Sequence, residues 1–566
     1  MTIDQKIALW SSSIFDAQTQ KEVHNLKQKP AALHDAFYTE LRFGTGGMRG
    51  IMGVGTNRIN KYTLGRCTQG LANFLNEKNS KASVVVAYDS RHQSQSLAHE
   101  VAAVLSANNI KVYLFTDLRT TPELSFAVRY FRAQAGIVLT ASHNPPEYNG
   151  YKVYGPDGGQ IVPPMDQSIM NFIQNVSYDA IQFGPPQAKI HAVDQEVDAA
   201  YWNTVLNLMP EEDTATKDLK IVFTSLHGTA ITAIPKVMAL AGFKNLSIVK
   251  SQMHPDGDFP TVKSPNPEDP AALELALLQA KKENADLVIG TDPDCDRLGV
   301  VFRSNKIGDY IFLDGNQLMI LLTDYVLRTL SRDNTLGDKY FIATTIVSSP
   351  LMQKIAAFYN VKCVTTLTGF KWIAEAIAKN PDQTFICGGE ESYGFLIGDA
   401  VRDKDAVSAA LLCAEMTESL KQKEKTLLDQ LIYCYQTYGF SKQRLIANQK
   451  EGAAGVKAIQ KWMQQFRQKP PKSLGNSPLV TLADYKMGKE INLKTGIEKP
   501  LNLPYSNVIQ FTCENGSIIS MRPSGTEPKI KFYLSVNGNY QSELSWESNQ
   551  AQLDKLLDQI ETDLGL

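Results

Sequence analysis

Residues 285–302 read ADLVIGTDPDCDRLGVVF. A short apolar run rich in β-branched residues enters a loop carrying three aspartates, and a second apolar run leaves it. Such runs are what strands covered on both faces of a sheet look like. Two other stretches share the layout. Residues 135–154, AGIVLTASHNPPEYNGYKVY, set Ser142 and His143 in the loop and Lys152 early in the second run, with two prolines and an Asn-Gly pair that reads as a turn. Residues 383–398, QTFICGGEESYGFLIG, set Glu390 and Ser392 there. Little identity links the three, so what repeats is a geometry of strand, polar loop and strand.

Helical patterns lie between these units, such as SLAHEVAAVLSANN at 96–109 and AALELALLQAKKEN at 271–284, the latter opened by the prolines and acids of SPNPEDP. Strand and helix in alternation predict α/β domains with largely parallel sheets. Open sheets of that kind bind ligands at the carboxyl ends of their strands. A fourth loop, in GSIISMRPSGTEPKIKFYLSV at 516–536, follows a polar stretch at 441–505 that reads as the passage into a smaller α+β domain. The last residues, 542–566, read as a closing helix. The expectation is four domains: 1–195, with an N-terminal helical extension and the serine loop; 196–312, with the aspartate loop; 313–440, with the Glu390 loop; and 441–566.

Bulk properties agree. At roughly 150 residues per domain, 566 residues give three to four domains. With 43% apolar and 20% charged residues the chain reads as globular, and a net charge of −2 excludes binding to nucleic acid or membrane surfaces through bulk charge. No apolar run is long enough to span a bilayer, and MTIDQKIALWSSS lacks the basic and apolar regions of a secretory signal. Seven dispersed cysteines without a CxxC pair fit reduced thiols in a cytoplasm.

The alternating Asp292, Asp294 and Asp296 would, on an extended loop, point three carboxylates to one side. Three hard oxygen ligands suit Mg²⁺. A calcium EF-hand fails, because its glycine position holds Arg297 and its closing glutamate position holds Arg303. In RPSGTEPK, Arg522, Ser524, Thr526 and Lys529 supply donors and Gly525 permits close approach, the makings of a phosphate cradle. Glu390 and Ser392 can hold sugar hydroxyls as acceptor and donor, while Arg49 stands on a glycine-rich turn. His227 reads as a hydrogen-bonded packing residue. Ser142 lacks the glycines of a hydrolase elbow, and a base adjacent in sequence is not expected to fold back onto its neighbour's hydroxyl. A phosphate on Ser142 accounts better for the rest: it would give an oxygen to a metal held by the aspartates, with Arg297, His143 and Lys152 balancing its charge.

All four loops, in this order, resemble the α-D-phosphohexomutase superfamily of phosphoglucomutases and phosphomannomutases. The segments TASHNPPEYNGYK, GTDPDCDRLG, GGEESYG and RPSGTEPK carry the resemblance, with FGTGGMRG and TLTGFK in support, over residues 40–535. Length, the N-terminal extension and GFLIGDAVRDKDAV make the chain most similar to the longer bacterial α-phosphoglucomutase group. The resemblance implies three similar α/β domains and a smaller α+β one around a central cleft, and an Mg²⁺-dependent mutase acting on sugar phosphates, primed by glucose 1,6-bisphosphate. Ser142 would be the phosphorylated serine, steadied by Arg297, with Asp292, Asp294 and Asp296 as metal ligands. Lys152 and Arg49 would assist proton transfer, and Thr368 and Gly369 would help Glu390 and Ser392 read the sugar. Arg522, Ser524, Gly525 and Thr526 would anchor the phosphate that is not reacting. Tyr393-Gly394 stands where some dual-specificity relatives carry Gly-His, which counts against mannose; the expected substrate is glucose, with mannose or pentose as the alternatives on the same scaffold. A metal-dependent serine phosphatase would release inorganic phosphate, and a sugar-phosphate binding protein would not need Ser142 at all.

Overall fold

The computed structural model describes residues 1–566 except 42, 45, 46, 185–188, 211–216, 334, 335, 451 and 525–528. The first sheet shows why its apolar runs are unbroken. Its strands are β1 (Gly47–Ile51), β2 (Ser83–Tyr88), β3 (Lys111–Phe115), β4 (Ala135–Leu139), β5 (Tyr148–Tyr154) and β6 (Ile190–Val193), in the order β1-β5-β4-β2-β3-β6. Val84 and Val86 face one core with residues of helices Lys61–Lys78, Ser94–Ala107 and Met165–Gln174. Val85 and Ala87 face another with Leu124 and Val128 of helix Thr121–Tyr130 and Val197 of helix Gln195–Asn207. With helices on both faces, every position of β2 and β4 is buried. β2, β3, β4 and β6 run parallel, whereas β5 returns antiparallel between β4 and β1.

The second sheet repeats the plan. Strands β7 (Ile221–Thr224), β8 (Leu246–Ile248), β9 (Leu287–Thr291), β10 (Leu298–Ser304) and β11 (Asp309–Leu313) lie in the order β11-β10-β9-β7-β8. β7, β8 and β9 are parallel, and β10 returns antiparallel beside β9. Further along, β12 (Tyr340–Thr345) pairs in parallel with β13 (Lys362–Thr366), and β14 (Thr384–Glu390) pairs antiparallel with β15 (Gly394–Ile397). The architecture is the expected α/β arrangement with an additional C-terminal sheet domain. The chain forms two compact units, one of residues 1–322 with 370–427, the other of 323–369 with 428–566.

The polar stretch 441–505 is no mere passage. It supplies strands Phe440–Gln449, Ser477–Asp484, Lys489–Asn492 and Glu498–Pro500 to the C-terminal antiparallel sheet, together with Ile509–Cys513, Ile518–Pro523 and Lys529–Gly538. Helix Trp546–Leu564 buries Leu553, Leu557 and Ile560. No described helix is long and apolar enough to cross a membrane.

The N-terminal extension folds as helices Ile3–Trp10, Ala17–Leu26 and Pro30–Phe37, the first two opened by side-chain caps from Thr2 and Asp16. Trp10 is fully buried and stacks on Phe15 with ring centroids 4.4 Å apart, while Phe37 and Tyr62 meet it edge-on. Trp10→Ala should cost about 3–5 kcal/mol. A lowered urea midpoint with unchanged KM checks it.

Candidate active site

Ser142 follows the buried strand β4, three residues beyond its end. Its φ of 50° is left-handed, a conformation that costs a non-glycine residue about 1–3 kcal/mol and is held only where the surroundings dictate it. The Ser142 N–H donates to Thr140 Oγ1 (2.9 Å), and its hydroxyl donates to Asp292 Oδ2 (2.6 Å), 150 residues away. Cys295 in the aspartate loop (φ 59°) and Tyr393 in the Glu390 loop (φ 63°) are left-handed too. Each of the three loops thus stores one strained residue.

That turn overturns one sequence expectation. His143 does reach its neighbour: Nδ1 lies 3.2 Å from Ser142 Oγ. Burial, with Arg297 and Arg49 nearby, holds the imidazole well below its ordinary pKa, so it is neutral. Asn149-Gly150 is likewise not a turn but part of β5. Gly150 is required there because a Cβ would lie 2.4 Å from the Thr140 carbonyl. Close strand contact, rather than chain reversal, explains that glycine.

Asp292, Asp294 and Asp296 follow β9, and ligand atoms from all three lie within 4.8 Å of one another. The loop is not extended, however. Cys295 N–H bonds back to the Asp292 carbonyl (3.0 Å), so a tight turn converges the carboxylates. All three are buried, and Oδ1 of Asp294 and of Asp296 has no hydrogen-bond partner among the described residues. Orphaned, buried carboxylate oxygens beside a serine hydroxyl fit a hard divalent cation.

Two lysines offset the charge. Lys152 Nζ lies 2.7 Å from Asp294 Oδ2 and 3.4 Å from Asp296 Oδ2, and Lys404 Nζ lies 3.2 Å from Asp296 Oδ2. Burial alone would raise Asp296; Lys404, Lys152 and Arg297 instead hold it below the usual carboxylate range. Asp292, raised by burial and by its two acidic neighbours, sits well above that range. Burial opposes the charge on both lysines, yet the aspartates raise them, so each stays protonated. Arg297 is paired with Glu268, and its buried Nε stands 3.9 Å from Asp292 Oδ2 and 3.7 Å from Asp296 Oδ1, with no hydrogen-bond partner among the described residues. Arg49, on β1 rather than a turn, is exposed and donates to Asn144 Oδ1 (2.8 Å).

Glu390 ends β14, 3.8 Å from Lys404 Nζ, and Ser392 is half-buried in the following turn. Lys404 therefore touches both the aspartate and the Glu390 loops. Sequence reasoning missed it, although it stands in the charge-alternating VRDKD run. Thr121 was missed as well: its Oγ1 donates to Asp294 Oδ2 (3.0 Å) from the start of a helix 173 residues away. His227 is a packing residue as expected, 3% exposed, with Nε2 2.9 Å from Thr261 Oγ1.

Thr368 and Gly369 belong to the second compact unit. Thr368 Oγ1 is buried without a partner among the described residues, and Gly369 has a φ of 109° that only glycine adopts freely. Arg522 lies on the strand Ile518–Pro523 of that unit, Lys529 opens Lys529–Gly538, and a Ser524 N–H bond to the Lys529 carbonyl (2.7 Å) closes the hairpin. Gly525 and Thr526 lie outside the described residues.

A left-handed serine hydrogen-bonded to a buried aspartate cluster, on repeated α/β units, is an arrangement that phosphoryl transfer can use. Residues 40–179, 199–305 and 314–438 match, in turn, the alpha/beta/alpha domains I, II and III of phosphoglucomutase/phosphomannomutase. The chain is 37% identical to a phosphoglucomutase of Staphylococcus epidermidis over 95% of its length and 98% of that protein's. It is 39% identical to one of Staphylococcus aureus over 90% and 92%. Two solved structures share the fold: the phosphoglucomutase parafusin of Paramecium in its open form (TM-score 0.67, 20% identity, 93% and 95% covered) and a phosphoglucomutase/phosphomannomutase family protein of Burkholderia thailandensis (0.66, 17%, 92% and 97%). The chain belongs to the phosphoglucomutase/phosphomannomutase family and is a phosphohexomutase.

Proposed function

We propose that the chain interconverts α-D-glucose 1-phosphate and glucose 6-phosphate through a phosphoserine at Ser142 and a glucose 1,6-bisphosphate intermediate. The observation that carries this reading is the 2.6 Å bond from Ser142 Oγ to Asp292, within a carboxylate cluster holding two orphaned oxygens. Asp292, Asp294 and Asp296 would hold Mg²⁺, which when bound offsets the charge on the transferring phosphoryl group. Arg297 offers an unused N–H to a phosphate oxygen, and Lys152, kept protonated, adds a positive charge. In the forward half-reaction the bond from phosphorus to Ser142 Oγ breaks as one forms to the sugar hydroxyl oxygen, whose proton ends on the freed Ser142 Oγ. In the return, Ser142 Oγ attacks the other phosphate, the bond from that phosphorus to its sugar oxygen breaks, and the serine proton must pass through a base to the leaving sugar oxygen. With the Asp292 carboxylate taken up as a ligand, neutral His143 at 3.2 Å is the acceptor in place. Glu390 and Ser392 would grip sugar hydroxyls, with Thr368 and Gly369 assisting, and Arg522, Ser524, Gly525, Thr526 and Lys529 would hold the distal phosphate. Positioning and electrostatics do most of this work, as phosphoryl transfer requires.

The test is a panel of glucose, mannose and pentose 1-phosphates with Mg²⁺ and catalytic glucose 1,6-bisphosphate. Glucose 1-phosphate should show the highest kcat/KM, with no phosphate released. Stoichiometric inorganic phosphate would mean a phosphatase, and preference for mannose or pentose would overturn the substrate assignment.

A further inference from the structure

One guanidinium lies behind the serine loop and gathers its backbone. Arg91 Nη2 donates to the carbonyls of Ser142 (2.5 Å) and Asn144, and Nη1 donates to those of Pro145 (2.8 Å) and Tyr148 (3.0 Å). Four carbonyls from one loop of seven residues converge on a single side chain. The side chains of Arg91 and Asp89 are both 0% exposed. Asp89 Oδ2 stands 3.4 Å from Arg91 Nε, while Asp89 Oδ1 accepts from the Arg91 N–H (2.9 Å) and Ser94 Oγ (2.8 Å). The face of Phe259 covers the guanidinium, its ring centroid 5.0 Å away.

We infer that Arg91 is a positioning residue for phosphoryl transfer, whose guanidinium holds the serine loop in the curled form that aims Ser142 Oγ at the aspartates; the inference rests on the phosphoserine reading above. Carbonyls normally diverge along an irregular loop, and turning them inward toward a common point curls the chain around that point. A curl tight enough to include Ser142 puts it in the left-handed region, at φ 50°. The strain needs an external hold, and a flat donor with two terminal nitrogens in fixed relation can span four acceptors. A lysine ammonium offers three donors from one atom and cannot reach both ends of the loop. Because the guanidinium lies behind the backbone, Arg91 acts on the reaction only through Ser142.

Arg91→Lys tests this, since it keeps the charge beside Asp89. The expected result is a fall in kcat of about 10²-fold, the cost of misplacing a reacting atom by about 1 Å. KM for glucose 1-phosphate should stay within about threefold, because no substrate contact is lost. Amide deuterium exchange should quicken in the peptide spanning 140–150 and stay unchanged in β2 and in residues 440–566. Asp89→Asn, a milder change of the same hold, should move loop exchange and kcat in the same directions by less. Unchanged kcat, a rise in KM with kcat intact, or exchange quickened equally throughout the first sheet in both variants would overturn the inference and leave Arg91 a plain core ion pair. The exchange measurement needs no phosphate on the enzyme. If wild-type Ser142 proves never to be phosphorylated, the functional reading fails while the hold on the loop is still decided.

Discussion

Ser142→Ala is expected to lower mutase turnover by on the order of 10⁴-fold, as losses of covalent nucleophiles do. On the proposed reading the substitution removes the atom that carries the phosphoryl group between half-reactions. The fold should survive, because the loop is held by its backbone: Thr140 Oγ1 on the residue-142 N–H and Arg91 on the carbonyls. Alanine accepts the left-handed φ with strain similar to that of serine. Sugar phosphate should still bind, since Glu390, Lys404 and Arg522 are untouched. Equilibrium binding of glucose 1-phosphate within a few-fold of wild type, alongside lost turnover, is the expected pair of results. Appreciable turnover in a sample verified free of wild-type protein would exclude Ser142 as the carrier.

Asp294→Asn should cost about 10²–10³-fold in kcat, the range for removing a preorganised electrostatic contact. Three losses coincide at this residue. The proposed hard-cation site gives up a charged oxygen, Lys152 loses the charge of its nearest carboxylate at 2.7 Å, and the single amide oxygen must serve Thr121 (3.0 Å) as well as the cation where the carboxylate had two. An uncompensated lysine near the reacting phosphate does not substitute for a correctly placed cation. Raising Mg²⁺ should recover only part of the rate, whereas turnover within threefold of wild type at ordinary Mg²⁺ would remove Asp294 from the metal site. The circular-dichroism spectrum should not change.

Much of this site was legible in the sequence, for a physical reason. Strands covered by helices on both faces must be apolar throughout, so GIVL and LVIGT stand out, and polar groups directly after them are placed at the strand ends where ligands bind. What did not show was backbone conformation. The aspartates converge through a turn at Cys295 and not by strand alternation, and His143 reaches Ser142 Oγ because Ser142 is left-handed. Neither follows from spacing. Lys404 and Thr121 were hidden because the loop aspartates they meet, Asp296 and Asp294, lie more than 100 residues away, and a lone lysine or threonine carries no local signal. The C-terminal sheet was hidden by its composition. Strand Phe440–Gln449 has only its first two residues buried, and half-solvated antiparallel strands that mix polar with apolar residues read as loop.

The most direct test of the phosphoserine reading is the mass of the peptide containing Ser142 in the purified enzyme, followed through dephosphorylation and repriming. Part of the protein should carry one additional phosphoryl group, localised to that serine. Phosphatase treatment should remove the group and silence the mutase together, and catalytic glucose 1,6-bisphosphate should restore both, while hexose monophosphate alone restores little. Full mutase activity in fully dephosphorylated enzyme, with no bisphosphate added, would contradict the account.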